Sequence, residues 1–140
     1  MKKNFLIVPV IFCLLILVLP SCQKDDENEP DTSGDARSKF VASWTCQENS
    51  KLNGPSTYTI HINKDSANSI QIKIENIYNY GFQYAAYAVV SGNSFNISSQ
   101  LISGNMVQGT GILQGTNSIN LSYTVNSGST VDSVTAILNK

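Results

Sequence analysis

Among residues 35–140, one imidazole, a few carboxylates and one thiol are the groups that could carry a proton or attack a bond. His61 is the sole histidine of the 140-residue chain, so general-base work, a Ser-His-Asp relay or a metal cluster would all lean on it. It alternates along the chain with Tyr58 and Ile60 and shares the face of Thr57 and Thr59. There is no Gly-x-Ser-x-Gly elbow and no second histidine. His61 therefore reads as a solvated strand residue, and no metal or cofactor is expected. Paired carboxylates could hydrolyse a glycoside, and the candidates are Asp35, Glu48, Asp65, Glu75 and Asp132. Asp35 and Asp65 fall in tether and turn contexts and Glu75 on a polar face, whereas Glu48 shares a face with Trp44 and Cys46 and could point inward. A carboxylate-based hydrolase is the weakest reading, and the chain is expected not to be an enzyme. Cys46 would need a basic neighbour to become a nucleophile; two residues from Trp44 on the same face, it reads as a small core residue.

Tyr78, Tyr80, Phe82 and Tyr84 form the most suggestive pattern. They alternate with Asn79, Gly81 and Gln83, and Tyr87 follows closely. An aromatic row beside amides can stack on sugar rings or grip a hydrophobic ligand. Ordinary core and cross-strand packing is the competing explanation. Four aromatics on one face of one segment exceed what a small core requires, so these four are the ligand-binding candidates.

The elements that must position these groups are strands. Ile60 and Ile62, then Ile70, Ile72 and Ile74, then Ile119, Leu121, Tyr123 and Val125 each alternate with polar residues, the period-two signature of a sheet with one buried face. Turn signals such as Asn53-Gly54-Pro55, Ser91-Gly92-Asn93, Ser103-Gly104-Asn105 and Gly115-Thr116-Asn117 separate the runs. The spacing predicts about eight strands, near 42–48, 57–64, 69–77, 85–91, 94–102, 106–114, 118–126 and 130–139. An all-β antiparallel up-and-down meander of this length closes most simply into a small barrel, which removes sheet edges; a β-sandwich is the alternative. Gly109 and Gly111, flanking Thr110 within a strand, suggest a sharp corner or a bulge.

The N-terminal part differs. Lys2 and Lys3 precede a run from Phe5 to Leu19 that is apolar except for Pro9. That run is shorter than the roughly 20 residues of a membrane span and has the length of a secretion-signal core. Removing Lys2 and Lys3 leaves seven of the nine basic side chains against ten acidic ones, and no basic run offers a nucleic-acid footprint. Charged residues are only 14% of the chain; Ser, Thr, Asn, Gln and Gly supply most of its polarity. Residues 23 to about 35 hold Pro30, Gly34 and a cluster of acids but almost no apolar side chains, the composition of a flexible tether.

Leu19-Pro20-Ser21-Cys22 resembles a lipobox, which implies that Cys22 becomes the acylated first residue of a mature lipoprotein. Gln23-Lys24-Asp25-Asp26-Glu27 resembles the surface-export signal of Bacteroidetes lipoproteins; Lys24, Asp25, Asp26 and Glu27 would carry it. The resemblance implies an outer-membrane protein, lipid-anchored and exposed at the cell surface, with the periplasmic face as the alternative. Phe40-Val41-Ala42-Ser43-Trp44 looks like the opening of a lipocalin, with Ala42 in place of the usual Gly. In that family a basic residue near the last strand packs over the Trp, which would pair Lys140 with Trp44. Trp44-x-Cys46, the segment Asn76, Tyr78, Asn79, Gly81 and the Gly109-x-Gly111 strand resemble small lipocalin-like lipoproteins of Bacteroidetes. Asp65-Ser66-Ala67 and Asp132-Ser133-Val134 resemble the O-glycosylation acceptor sites of the same bacteria. The organisation expected is a signal peptide over 1–21, a lipidated Cys and acidic tether over 22–35, and a barrel over 36–140. The function expected is a membrane-anchored, non-enzymatic binding or interaction module for a small apolar ligand or a glycan, or else a structural or adhesion lipoprotein without a small ligand.

Overall fold

The computed structural model describes residues 34–140. The signal segment, Cys22 and the export residues Lys24, Asp25, Asp26 and Glu27 lie outside the described residues. Eight strands follow one another: β1 (Ala42–Ser50), β2 (Gly54–Lys64), β3 (Gln71–Glu75), β4 (Ala85–Ser91), β5 (Ser94–Ile102), β6 (Asn105–Gln114), β7 (Ser118–Asn126) and β8 (Val131–Asn139). Each pairs antiparallel with its sequence neighbour, and β8 returns to β1 to close an up-and-down barrel. That last pairing, from Thr45↔Asn139 to Ser50↔Val134, distinguishes the barrel from a sandwich.

Alternation is the reason the sheet closes around a dry interior. Trp44 and Cys46 on β1, Ile60 and Ile62 on β2, and Leu121 and Tyr123 on β7 are buried, while the residues between them face outward. Burying one apolar face and hydrating the other is what drives a period-two sequence to form a barrel in water. At one end, here termed the base, a 3-10 turn (Ser38–Phe40) places Phe40 across the opening, edge-on to Phe95 with ring centroids 5.5 Å apart. Arg37 clamps this end: its Nη1 donates to the carbonyls of Asp65, Asn68 and Gln71 at 3.1, 3.0 and 3.3 Å, and its Nη2 pairs with Asp35 at 2.8 Å. The opposite end, the mouth, carries the loops 51–53, 76–84, 103–104 and 127–130.

The two strand glycines have distinct physical reasons. A Cβ on Gly111 would stand 2.1 Å from Cζ of Phe95, so the missing side chain is what lets that ring lie across β6. A Cβ on Gly109 would meet Ser122 O and Tyr123 Cβ at 2.4 Å, the mark of two strands coiled tightly together. The bulge itself is in β5, where the register shifts between Ile97 and Gln100 opposite Gly109.

Candidate binding site

The expected aromatic row is not a strand. β3 stops at Glu75, and residues 76–84 form a loop in which Asn76, Tyr78, Asn79 and Gly81 all have positive φ, at 65°, 55°, 55° and 99°. Asn76 organises it. Its Nδ2 donates to Thr59 O at 2.7 Å, its Oδ1 accepts from Gly81 N at 2.6 Å, and its backbone N–H reaches Tyr84 O at 3.1 Å. These local bonds give the backbone an alternative to the ladder, and alternation along the chain then no longer means one face. The four aromatics part company. Tyr78 and Tyr80 turn over the mouth with centroids 5.1 Å apart, and Tyr78 meets Tyr123 edge-on at 6.3 Å. Phe82 leaves to the outside and lies on His61 at 4.5 Å. Tyr84 touches the group only through Tyr80, at 6.4 Å. A left-handed tyrosine costs about 1–2 kcal/mol; the Tyr78 hydroxyl, donating to Asp132 Oδ2 at 2.8 Å, offsets it.

Beneath this cover lie two buried carboxylates. Glu48 Oε2 accepts from the hydroxyls of both Tyr58 and Tyr123. Asp132 accepts from Ser50 and Tyr78, and from the backbone N–H of Leu52 at 3.1 Å. Burial raises the pKa of the Asp132 carboxyl, but the Ser50, Tyr78 and backbone donors outweigh it and hold the group below its ordinary range. Burial, reinforced by the Glu48 charge, pushes the Tyr58 and Tyr123 hydroxyls far above the usual phenol range. Burial likewise pushes Tyr78 up to about 12. Donors reach both oxygens of Asp132 and Oε2 of Glu48, and nearly all the surface of the two residues is withdrawn from water. They serve as acceptors that close the mouth. Tyr58 and Tyr123 were legible as inward residues of their strands, but their convergence on Glu48 from the two flanks of β1 was not.

Other residues singled out in the sequence take the following places. Lys140 Nζ stands 4.6 Å from the Trp44 ring centroid, and Trp44 Nε1 donates to Phe40 O at 2.9 Å, so the pair sits at the base. His61 faces outward with Nδ1 3.9 Å from Glu75, which also pairs with Lys73 at 2.7 Å. Cys46 is fully buried, and burial pushes its thiol up to about 12 despite a bond from Tyr58, with Glu48 adding to the rise. Ser66 is exposed in the β2–β3 turn, whereas Asp132 of the second Asp-Ser motif is enclosed. Among the described residues no three His, Cys, Asp or Glu side chains converge as metal ligands.

An open cleft lies beside the mouth, between β4 and β5. These strands pair only from Val89 to Ser91, and above that point they splay. The amide of Gln100 replaces the missing ladder: Oε1 accepts from Tyr87 N at 2.9 Å and Nε2 donates to Tyr87 O at 2.8 Å. The splay leaves a cleft of about 630 Å³ flanked by Tyr84 and Tyr87, with Lys73, Gln83 and Ser103 supplying polar groups and Leu101 an apolar wall. Tyr84 is 37% and Tyr87 42% exposed, enough for each ring to offer a face or an edge.

No protein-family model matches the sequence, and no curated protein does. Solved structures do. A redesigned β-barrel, b11L5F_LGL, is similar with a TM-score of 0.55 at 12% identity, over 76% of this chain and 95% of the other. A second barrel, EF1p2_mFAP2b bound to DFHBI, is similar with a TM-score of 0.52 at 13% identity, over 76% and 98%. At such identities the likeness establishes the fold: a small, closed, eight-stranded antiparallel barrel.

Proposed function

We propose that this chain is a lipid-anchored, outer-membrane binding module, exposed at the cell surface and non-enzymatic, that holds a glycan in the Tyr84–Tyr87 cleft. One observation carries the reading: two tyrosine rings stand open across a cleft furnished with an amide, a hydroxyl and an ammonium group. Aromatic faces beside a few directed polar groups suit a sugar ring, whose C–H face stacks while its hydroxyls bond. The packed interior turns the reading outward, because Trp44, Phe95 and the isoleucines of β2 and β3 fill the space an enclosed apolar ligand would take. One solved barrel of this fold holds a ligand, DFHBI, which is compatible with a binding role. Glu48 Oε2 is held by two tyrosine hydroxyls and Asp132 by Ser50, Tyr78 and the Leu52 N–H, and this tying of both carboxylates into the packing of the mouth argues against hydrolysis. Geometry also suits the anchor: the described chain begins at the base, so a tether to Cys22 would turn the mouth and its neighbouring cleft away from the membrane.

The test is a glycan array probed with the mature domain and with Tyr84→Ala and Tyr87→Ala. Binding by the wild type and its loss in both variants, with melting temperatures within about 3 °C, supports the proposal. No signal on any glycan, or equal signal in the variants, removes it and leaves a structural or adhesion role.

A further inference from the structure

Residues 76–131 contain no Asp, Glu, Lys, Arg or His. Folded, this stretch supplies β4 to β7, and with the outward residues of β8 and β1 it makes a broad sheet face without charge. The register aligns that face into rows. Asn96 on β5 stands opposite Thr110 on β6, Thr110 opposite Ser122 on β7, Ser122 opposite Thr135 on β8, and Thr135 opposite Asn49 on β1. A parallel row runs one step nearer the mouth, where Gln108 is opposite Thr124 and Thr124 opposite Ser133, with Lys51 beyond, its N–H on Ser133 O at 3.1 Å. The β5 bulge completes it with Ser98 and Ser99.

At the middle of this face Gly109 carries no side chain, its backbone lies close against Ser122 and Tyr123, and the β5 register shifts opposite it. There a groove of about 700 Å³ runs across five strands between the two rows. Four strand spacings of about 4.8 Å give it a length of about 19 Å. Within the described residues the side chains of Asn49, Gln108, Thr110, Ser122, Thr124 and Thr135 make no hydrogen bond to the rest of the chain, so their donors and acceptors are available to a partner. Ile112 and Ile137, each about half exposed, border the rows on the base side.

We infer that this groove binds a neutral polysaccharide lying across the strands. The chemistry selects the partner. Serine, threonine, asparagine and glutamine offer both donors and acceptors, which matches hydroxyls that also do both. Short side chains lose little rotamer freedom on binding. An anionic polymer would find one cation, Lys51, and a protein partner would meet a surface poor in the aromatic and arginine anchors that dominate such interfaces. The site lies on strands other than those bearing Tyr84 and Tyr87 and stands independently of that cleft.

Biolayer interferometry on the folded domain tests this with three immobilised polymers: neutral mixed-linkage β-glucan, neutral galactomannan and anionic polygalacturonate. The expected result is binding to at least one neutral polymer. Ser122→Arg, which fills the middle of the groove from an outward position, and the double variant Thr110→Val/Thr135→Val should each weaken it at least tenfold, with circular dichroism unchanged. Tyr84→Ala and Tyr87→Ala should keep it. Absence of binding to both neutral polymers, binding indifferent to the groove variants, or binding lost instead with the tyrosine variants overturns the inference. A dimer in sedimentation that Ser122→Arg dissociates overturns it in favour of a second copy of this chain.

Discussion

Replacing Gly111 with alanine isolates the contact that shapes the barrel interior. The added methyl would lie 2.1, 2.4 and 2.6 Å from three atoms of the Phe95 ring. Normal carbon contacts begin near 3.5 Å, so the ring must move by more than 1 Å. It cannot move freely, because Phe95 is almost wholly buried and held edge-on by Phe40, itself fully buried over the base. Overpacking of this kind costs about 1–3 kcal/mol, and losing glycine's unfolded-state entropy returns about 0.5–1 kcal/mol. A net loss of about 1 kcal/mol, or roughly 5 °C in melting temperature for a domain of this size, is the expected outcome in urea and thermal unfolding. Phe95→Leu alone should also destabilise, and the double variant Phe95→Leu/Gly111→Ala should lose less than the sum of the two, because the smaller side chain leaves room for the methyl. A Gly111→Ala protein as stable as the wild type, or strictly additive losses, would refute the view that the glycine exists to accommodate the ring.

The buried thiol and tyrosines predict an alkaline weakness. Cys46 has a folded pKa of about 12 against an ordinary 9.0, so its contribution is complete below pH 9 and is lost as pH rises toward 12; Tyr58 and Tyr123 act in the same sense above pH 10. Urea unfolding should show stability level from pH 8 to 9, then falling by about 1.4 kcal/mol per pH unit for Cys46 above pH 9 and by about as much again for each tyrosine above pH 10, and a flat profile up to pH 11 would contradict the burial. At pH 8 the folded protein should leave a thiol reagent unconsumed at Cys46 until denaturant is added; prompt reaction would show an open interior. Metabolic labelling with a fatty-acid analogue should mark the full-length chain and spare Cys22→Ala, and equal labelling would dismiss the anchor.

Much of the architecture was written in local pattern. Alternation of Ile60 and Ile62, and of Leu121 and Tyr123, with polar residues fixes which side of each strand is buried, since side chains on a pleated backbone have no other choice. Turn residues fix where strands end, and all eight expected strands come within about three residues of those observed. The shared face expected of Tyr78, Tyr80, Phe82 and Tyr84, between the third and fourth strands, failed for a definable reason. Alternation has geometric meaning only while the backbone stays extended, and Asn76, bonded to Thr59 and Gly81, takes it out of that state.

What tertiary structure alone decided is everything that depends on closure. The chain's residue types determined a one-sided sheet. Only the β8–β1 pairing made it a barrel instead of a sandwich and brought Tyr58 and Tyr123 together on Glu48. The Tyr84–Tyr87 cleft depends on a splay whose missing ladder a single glutamine replaces. The transverse rows from Asn96 to Asn49 depend on register across five strands, a quantity set by the barrel's coil and not by any one segment. Local sequence selects the face a side chain occupies, because that choice is made within two residues; which side chains meet is settled by long-range pairing, which no short stretch encodes.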